Sequence, residues 1–178
     1  PWAEGVSLSK NLARASYVYR YYYKQVQTAN NMIGAIDPET ATESALGNLG
    51  VGYAYRAMAY LDIARQYEYL PADGTSATNS DGNNVQNLTA PIVTEKTTEE
   101  ESRNNPRATR QEMFEFILSD LDKAEEYIPY FNTDLNSFAS LNSLPHLDCV
   151  YGLKARLYMW VEDYAKAQEY ARKAIDTA

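Results

Sequence analysis

Asp120, Asp122, Glu125 and Glu126 form a carboxylate cluster, the residue type that general acid–base chemistry uses. On a helix, Asp122 and Glu126 stand one turn apart on the face opposite Leu121. That placement reads as a solvated face rather than a catalytic pair. Asn79, Asp81 and Asn83 place oxygens at alternate positions, as calcium loops do. The bidentate Glu that closes such a loop is missing, and Ala77 stands where the first Asp belongs, so the pattern does not specify a calcium site. His146 is the sole histidine and Cys149 the sole cysteine, which leaves no His-rich or Cys-based metal site and no disulfide framework. Cys149 is expected as a small buried thiol at the start of a helix. The sequence has no Gly-rich phosphate loop and no nucleophile elbow, so neither a catalytic residue nor a cofactor is expected.

The elements that would position any such residues are helical throughout. Val150, Leu153, Leu157 and Trp160 recur at helical spacing, and Tyr164, Ala167, Ala171 and Ala174 repeat the pattern after a short turn. Asp163 is placed to cap the second of these helices. Gly152, Ala155, Ala167 and Ala171 are small where the partner would come close, with Tyr151, Tyr158 and Tyr164 between. This is the tetratricopeptide style of helix pair.

Upstream, 7–36 reads as a long helix with a seam of Leu8, Leu12, Ala15, Tyr19, Tyr22, Val26, Ala29 and Ile33, capped by Ser7 or Ser9 and stopped by Asp37-Pro38. Tyr17, Tyr21 and Tyr23 flank the seam, so the helix is expected to be covered on more than one side. A second helix over 43–68 carries Leu46, Leu49, Tyr53, Ala57, Tyr60, Ala64 and Tyr67. Its Gly47, Gly50 and Gly52 each cost up to about 1 kcal/mol against Ala, a cost normally met by close packing. Tyr55, Ala59 and Leu61 share their spacing with Tyr151, Ala155 and Leu157, as equivalent helices of two repeats would.

Between 70 and 108 runs a long irregular insertion with tight turns at Asp73-Gly74 and Asp81-Gly82 and a short extended piece at Ile92-Val93. Glu99-Glu100-Glu101 is expected as a solvated run. Thr109 and Glu112 form a capping box for a helix whose seam is Phe114, Ile117, Leu121, Ala124 and Ile128. A second irregular segment covers 130–145. The expected architecture is all-α, with tetratricopeptide-like helix pairs and one long irregular insertion.

Composition fits this reading. The chain has 178 residues, 45% of them hydrophobic, enough for one sizeable core over 1–178. A net charge of -8 and the absence of a Lys/Arg cluster argue against a nucleic-acid partner. Sixteen tyrosines suit half-buried helix seams and also sugar or protein contacts. No apolar run reaches the roughly 18 residues that a membrane-spanning helix needs. The sequon Asn87-Leu88-Thr89 matters only in a eukaryotic secretory setting.

Several segments together resemble the SusD/RagB family of outer-membrane nutrient-binding lipoproteins. They are Tyr55-Arg56-Ala57-Met58-Ala59-Tyr60-Leu61-Asp62-Ile63-Ala64-Arg65-Gln66-Tyr67, Ala90-Pro91-Ile92-Val93-Thr94-Glu95 and Asn105-Pro106-Arg107-Ala108-Thr109-Arg110-Gln111-Glu112. Ile117 to Ala124, Val150 to Tyr158, Asp163 to Ala167 and the Ala29-Asn30 pair continue the match in order and spacing. The resemblance implies helix pairs used as a scaffold, docking on a SusC-like TonB-dependent transporter, and capture of a glycan or similar nutrient at the cell surface. It implies an outer-membrane location through a lipid anchor whose signal and Cys are not in this sequence. Family chains run well beyond this one, so the sequence is expected to be the helical part of a longer chain. Sugar recognition needs an aromatic ring for a pyranose face and planar amides or carboxylates for the hydroxyls. Trp2, Asp73, Asn79, Asp81, Asn83 and Asn84 supply those types. The alternative expectation is a tetratricopeptide-like protein-interaction scaffold that binds no glycan.

Overall fold

The computed structural model describes residues 13–69, 76–79, 81–130 and 144–178. Within them lie six α-helices: α1 (Ala13–Gly34), α2 (Glu43–Tyr67), α3 (Glu99–Arg103), α4 (Arg110–Tyr127), α5 (Leu147–Trp160) and α6 (Tyr164–Thr177). A 3₁₀ turn, Ile128–Tyr130, extends α4. Ser7, Ser9, Leu8 and Leu12 lie outside the described residues, as do Trp2 and Asp73. The all-α expectation holds among the described residues, where only isolated bridges, Thr78 with Asn84 and Leu88 with Thr109, pair extended backbone.

The closing α5–α6 pair forms as its spacing predicts, and Asp163 accepts the amide of Lys166 as its cap. The organising element, however, is α2. Its buried residues include Leu49, Val51, Tyr53, Ala54, Arg56, Ala57, Tyr60, Leu61 and Ile63, which point in every direction around the axis. A helix apolar all round must be enclosed, and α2 is packed by α1, α4 and α5. Two of its glycines make this possible. A Cβ on Gly50 would sit 2.7 Å from the backbone nitrogen of Ile128, and one on Gly52 would sit 3.2 Å from Ile33. Gly152 is different, since open space surrounds the position of its missing Cβ.

Other details depart from expectation. Tyr164 is exposed, and it is Tyr170 that stacks on Tyr158 and meets Tyr151 at a tilt, at 5.5 and 6.2 Å between ring centres. Tyr17 and Tyr21 face solvent and stack on each other, leaving Tyr23 as the flanking ring that is covered. Cys149 is exposed rather than buried. The insertion is not irregular throughout: Thr98 and Glu101 form a capping box that starts α3, whose glutamates are exposed. The capping box of Thr109 and Glu112 opens α4 as predicted.

Candidate functional site

The part of the insertion with sequence 89–95, called here the strap, crosses α1 and α2. Ile92-Val93 does not join a strand. Instead, helical side chains take the place of a neighbouring strand. The Tyr60 hydroxyl donates to the Val93 carbonyl at 2.9 Å and accepts the Val93 amide at 2.7 Å. Tyr23 donates to the Pro91 carbonyl at 2.6 Å, and the Asn30 amide donates to the Val93 carbonyl at 3.0 Å. The anchored positions are Pro91, Val93 and Glu95, so the strap turns alternate residues toward the helices, the periodicity of extended chain. From the other side, Asn105 donates to the Ile92 carbonyl at 2.6 Å. Arg107 donates to the carbonyls of Thr89 and Tyr67, each at 2.6 Å, fastening the strap to the end of α2.

Beneath the strap lies a buried ion network centred on Arg56. Its Nε and Nη2 grip the two oxygens of Asp120 at 2.7 and 2.8 Å. Its Nη1 donates to Glu95 at 2.6 Å and to Asn30 at 2.8 Å. This two-pronged geometry is the strong form of the carboxylate–guanidinium pair. Burial works against the Arg56 charge, but the bonds to Asp120 and Glu95 outweigh it and hold the guanidinium above its ordinary range. Burial also opposes the charge on Glu95, and the Arg56 bond reverses that, leaving its carboxyl below the usual range.

The carboxylates of α4 divide: Asp122 and Glu126 are exposed, as the solvated-face reading expects, and Asp120 departs from it. Asp120 is buried under Arg56, while Asp122 and Glu125 hold the ammonium of Lys154 from α5, the former at 2.6 Å. Glu126, like Asp122, is exposed, while Glu125 is half-buried. Helix periodicity alone missed the ion pairs, because the partners come from α2 and α5. The available signal was Arg56 itself, a cation in the middle of a helix apolar on all sides, where burial requires a counter-ion.

Above the network, α1 and the strap enclose an open groove of about 790 Å³. Tyr19, Tyr23, Gln27 and Asn31 line one wall, with Thr94 and Thr97 on the other. The rings of Tyr19 and Tyr23 lie 4.5 Å apart, and Tyr67 meets Tyr19 edge-on at 5.4 Å. Sequence reasoning did not single out this groove, although Tyr19, Tyr23, Gln27 and Asn31 recur every fourth residue on one helix face.

Of the sequence-predicted residues, those within the described part of the chain fall elsewhere. Asn79, Asp81, Asn83 and Asn84 share one exposed turn, in which Gly82 adopts φ +82. The Asn79 side-chain oxygen accepts the amides of Asp81 and Asn83 at 3.0 and 2.9 Å, and that of Asn84 accepts Gln86 at 2.9 Å. These oxygens shape the turn. Among the described residues no cluster of three or more His, Cys, Asp or Glu could hold a metal, and no helix is long and apolar enough to cross a membrane.

Residues 6–159 match the SusD-like family model described as starch-binding and associating with the outer membrane. No curated protein sequence matches. A SusD-like carbohydrate-binding protein from Bacteroides vulgatus superposes with a TM-score of 0.67 at 20% identity, over 91% of this chain and 31% of that one. A candidate sugar-binding protein from the same species gives 0.63 at 26% identity, over 90% and 33%. A SusD superfamily protein from Bacteroides fragilis gives 0.64 at 24% identity, over 91% and 35%. The chain thus spans about a third of the length of these solved structures.

Proposed function

From the premise that the chain belongs to the SusD-like family, whose description is starch-binding and associating with the outer membrane, we propose that it captures a polysaccharide or oligosaccharide at the cell surface. In this proposal it passes the ligand to a SusC-like TonB-dependent outer-membrane transporter, is tethered to the outer membrane as a lipoprotein and catalyses no reaction on the glycan. The observation that carries the reading is the family match over 6–159. The segments behind the resemblance supply Asn30, Arg56, Tyr60, Val93, Glu95, Asn105, Arg107 and Asp120, which together fasten the strap. The family pattern therefore supports the framework beneath the groove, and the ligand is left to its exposed lining.

Native affinity electrophoresis of the chain in gels cast with single polysaccharides tests the proposal. Retardation by at least one glucan or other glycan is expected, at unchanged far-UV circular dichroism. A folded chain that migrates freely in every gel contradicts it.

One feature favours the alternative, a helix-pair protein-interaction scaffold. An apolar trough of about 420 Å³ runs along the outer side of α1 and α2, with Tyr21, Met32, Tyr55 and Met58 in its lining. On that reading, substituting Tyr21 or Tyr55 weakens binding of a partner protein, and no gel retards the chain.

A further inference from the structure

The groove between α1 and the strap has two walls that are each fixed independently of any ligand. On the α1 side, Tyr19 lies against both Tyr23 and Tyr67, and the Tyr23 hydroxyl is tied to Pro91. On the other side, Val93 and Glu95 are tied to Tyr60, Asn30 and Arg56. Between these walls the polar side chains keep hydrogen-bonding capacity. The Asn31 side chain is exposed and makes no hydrogen bond among the described residues. Gln27 is exposed and uses its side-chain oxygen for Lys24 at 2.9 Å, so its NH₂ group remains available. Thr97 accepts the Thr94 amide at 2.9 Å, and its hydroxyl lies 3.3 Å from that of Thr94, where either oxygen can donate. A walled cleft with an aromatic surface and a few convergent polar groups is the usual form of a small-ligand site, and about 790 Å³ lies within the range of such clefts, roughly 300–1,000 Å³.

The chemistry of the lining selects the ligand. Tyrosine offers an apolar face with a polar edge, which suits the C–H face of a sugar ring. Amides and hydroxyls that both donate and accept suit vicinal hydroxyl groups. The charges around the groove nearly cancel: Arg20 and Lys24 stand on α1, and the network below sets Arg56 against Glu95 and Asp120. No concentrated cation cluster is present to hold a polyanion. Resting on the family-based reading above, we propose that this groove is a saccharide subsite for a short neutral oligosaccharide. The Tyr19–Tyr23 pair carries a ring face, and Gln27, Asn31 and Thr97 take its hydroxyls. Because both walls are held in place beforehand, binding here orders little of the protein.

The experiment is a ¹⁵N-NMR titration of the 178-residue chain with maltotriose, cellotriose, xylotriose and mannotriose, and with trigalacturonate as the acidic arm. The expected result is saturable shifts at the side-chain amides of Gln27 and Asn31 and at backbone amides 93–97 with at least one neutral trisaccharide. The double variant Gln27→Ala/Asn31→Ala, altered only at exposed positions, should lose at least tenfold in affinity at an unchanged thermal midpoint. Saturable shifts that avoid the groove, undiminished affinity in the double variant, or loss confined to Asn83→Ala/Asn84→Ala would overturn the groove assignment and leave the glycan-binding reading standing. Tighter binding of trigalacturonate than of every neutral sugar would overturn the neutral class. A folded chain that responds to none of the five would overturn the subsite, and free migration in every polysaccharide gel as well would remove the reading beneath it.

Discussion

Helix α4 holds two buried cations, one on each flank, and they are satisfied in opposite ways. Arg56 of α2 and Lys154 of α5 have side chains only 3% and 2% exposed. Arg56 meets Asp120, itself 2% exposed, so both charges have left water. Lys154 meets Asp122 at 60% and Glu125 at 35% exposure, acids that keep much of their hydration. Removing one partner of a doubly buried pair strands a charge in the interior, whereas removing a buried lysine from solvated acids strands nothing. The two clamps also do different work. The Lys154 clamp joins α4 to α5, while the Arg56 clamp joins α2 and α4 and also reaches Glu95 of the strap. One fixes the framework, and the other fixes a wall of the groove as well.

The comparison breaks most readily at Arg56. Arg56→Met is expected to cost about 3–5 kcal/mol in urea unfolding, because Asp120 is left buried without its counter-charge. The double change Arg56→Met/Asp120→Leu should recover most of that loss, since a buried pair replaced by packed apolar groups is often close to neutral. If the double variant is as unstable as the single one, the stranded charge is not the cause. On the other flank the order inverts. Asp122→Asn/Glu125→Gln leaves the Lys154 ammonium without a counter-ion and should cost about 1–3 kcal/mol. Lys154→Met leaves two acids in water and should cost no more than about 1 kcal/mol.

Titration separates the clamps from opposite ends of the pH scale. Burial opposes the Lys154 charge, but the bonds to Asp122 and Glu125 outweigh it and raise its pKa above the ordinary 10.5. A raised folded-state pKa gives stability that is fully present below the unfolded value and is lost as pH rises through the folded one. Alkaline unfolding should therefore set in at lower pH in Asp122→Asn/Glu125→Gln. The Glu95 carboxyl is lowered, so its contribution is present above the ordinary carboxylate range and is lost as pH falls through the depressed value. Glu95→Gln should flatten that acid limb, the smallest of these effects, read by thermal midpoints from neutral pH downward.

Much of the framework was legible because helices announce themselves locally. The Thr109 capping box, the Asp163 cap and the seam of Ile117, Leu121 and Ala124 each lie within a few residues of chain. Asn30, Arg56, Glu95 and Asp120 do not, and nothing in a helix period links them. Asp120 departs from the solvated face because helix periodicity sets it against its own helix alone, while its partner sits on α2. The side-chain oxygens of Asn79 and Asn84, offered as ligand groups by type, also accept amides of their own turn. Residue type alone does not show which hydrogen-bonding capacity the fold has already used.

The strap is a fixed wall, held onto the helices by Arg56 as well as by the tyrosines. Amide hydrogen exchange of the Arg56→Met/Asp120→Leu chain against the original tests it most directly. Exchange at 93–95 should accelerate while the amides of α2 and α4 keep their protection, and strap amides exchanging at the original rate would contradict this.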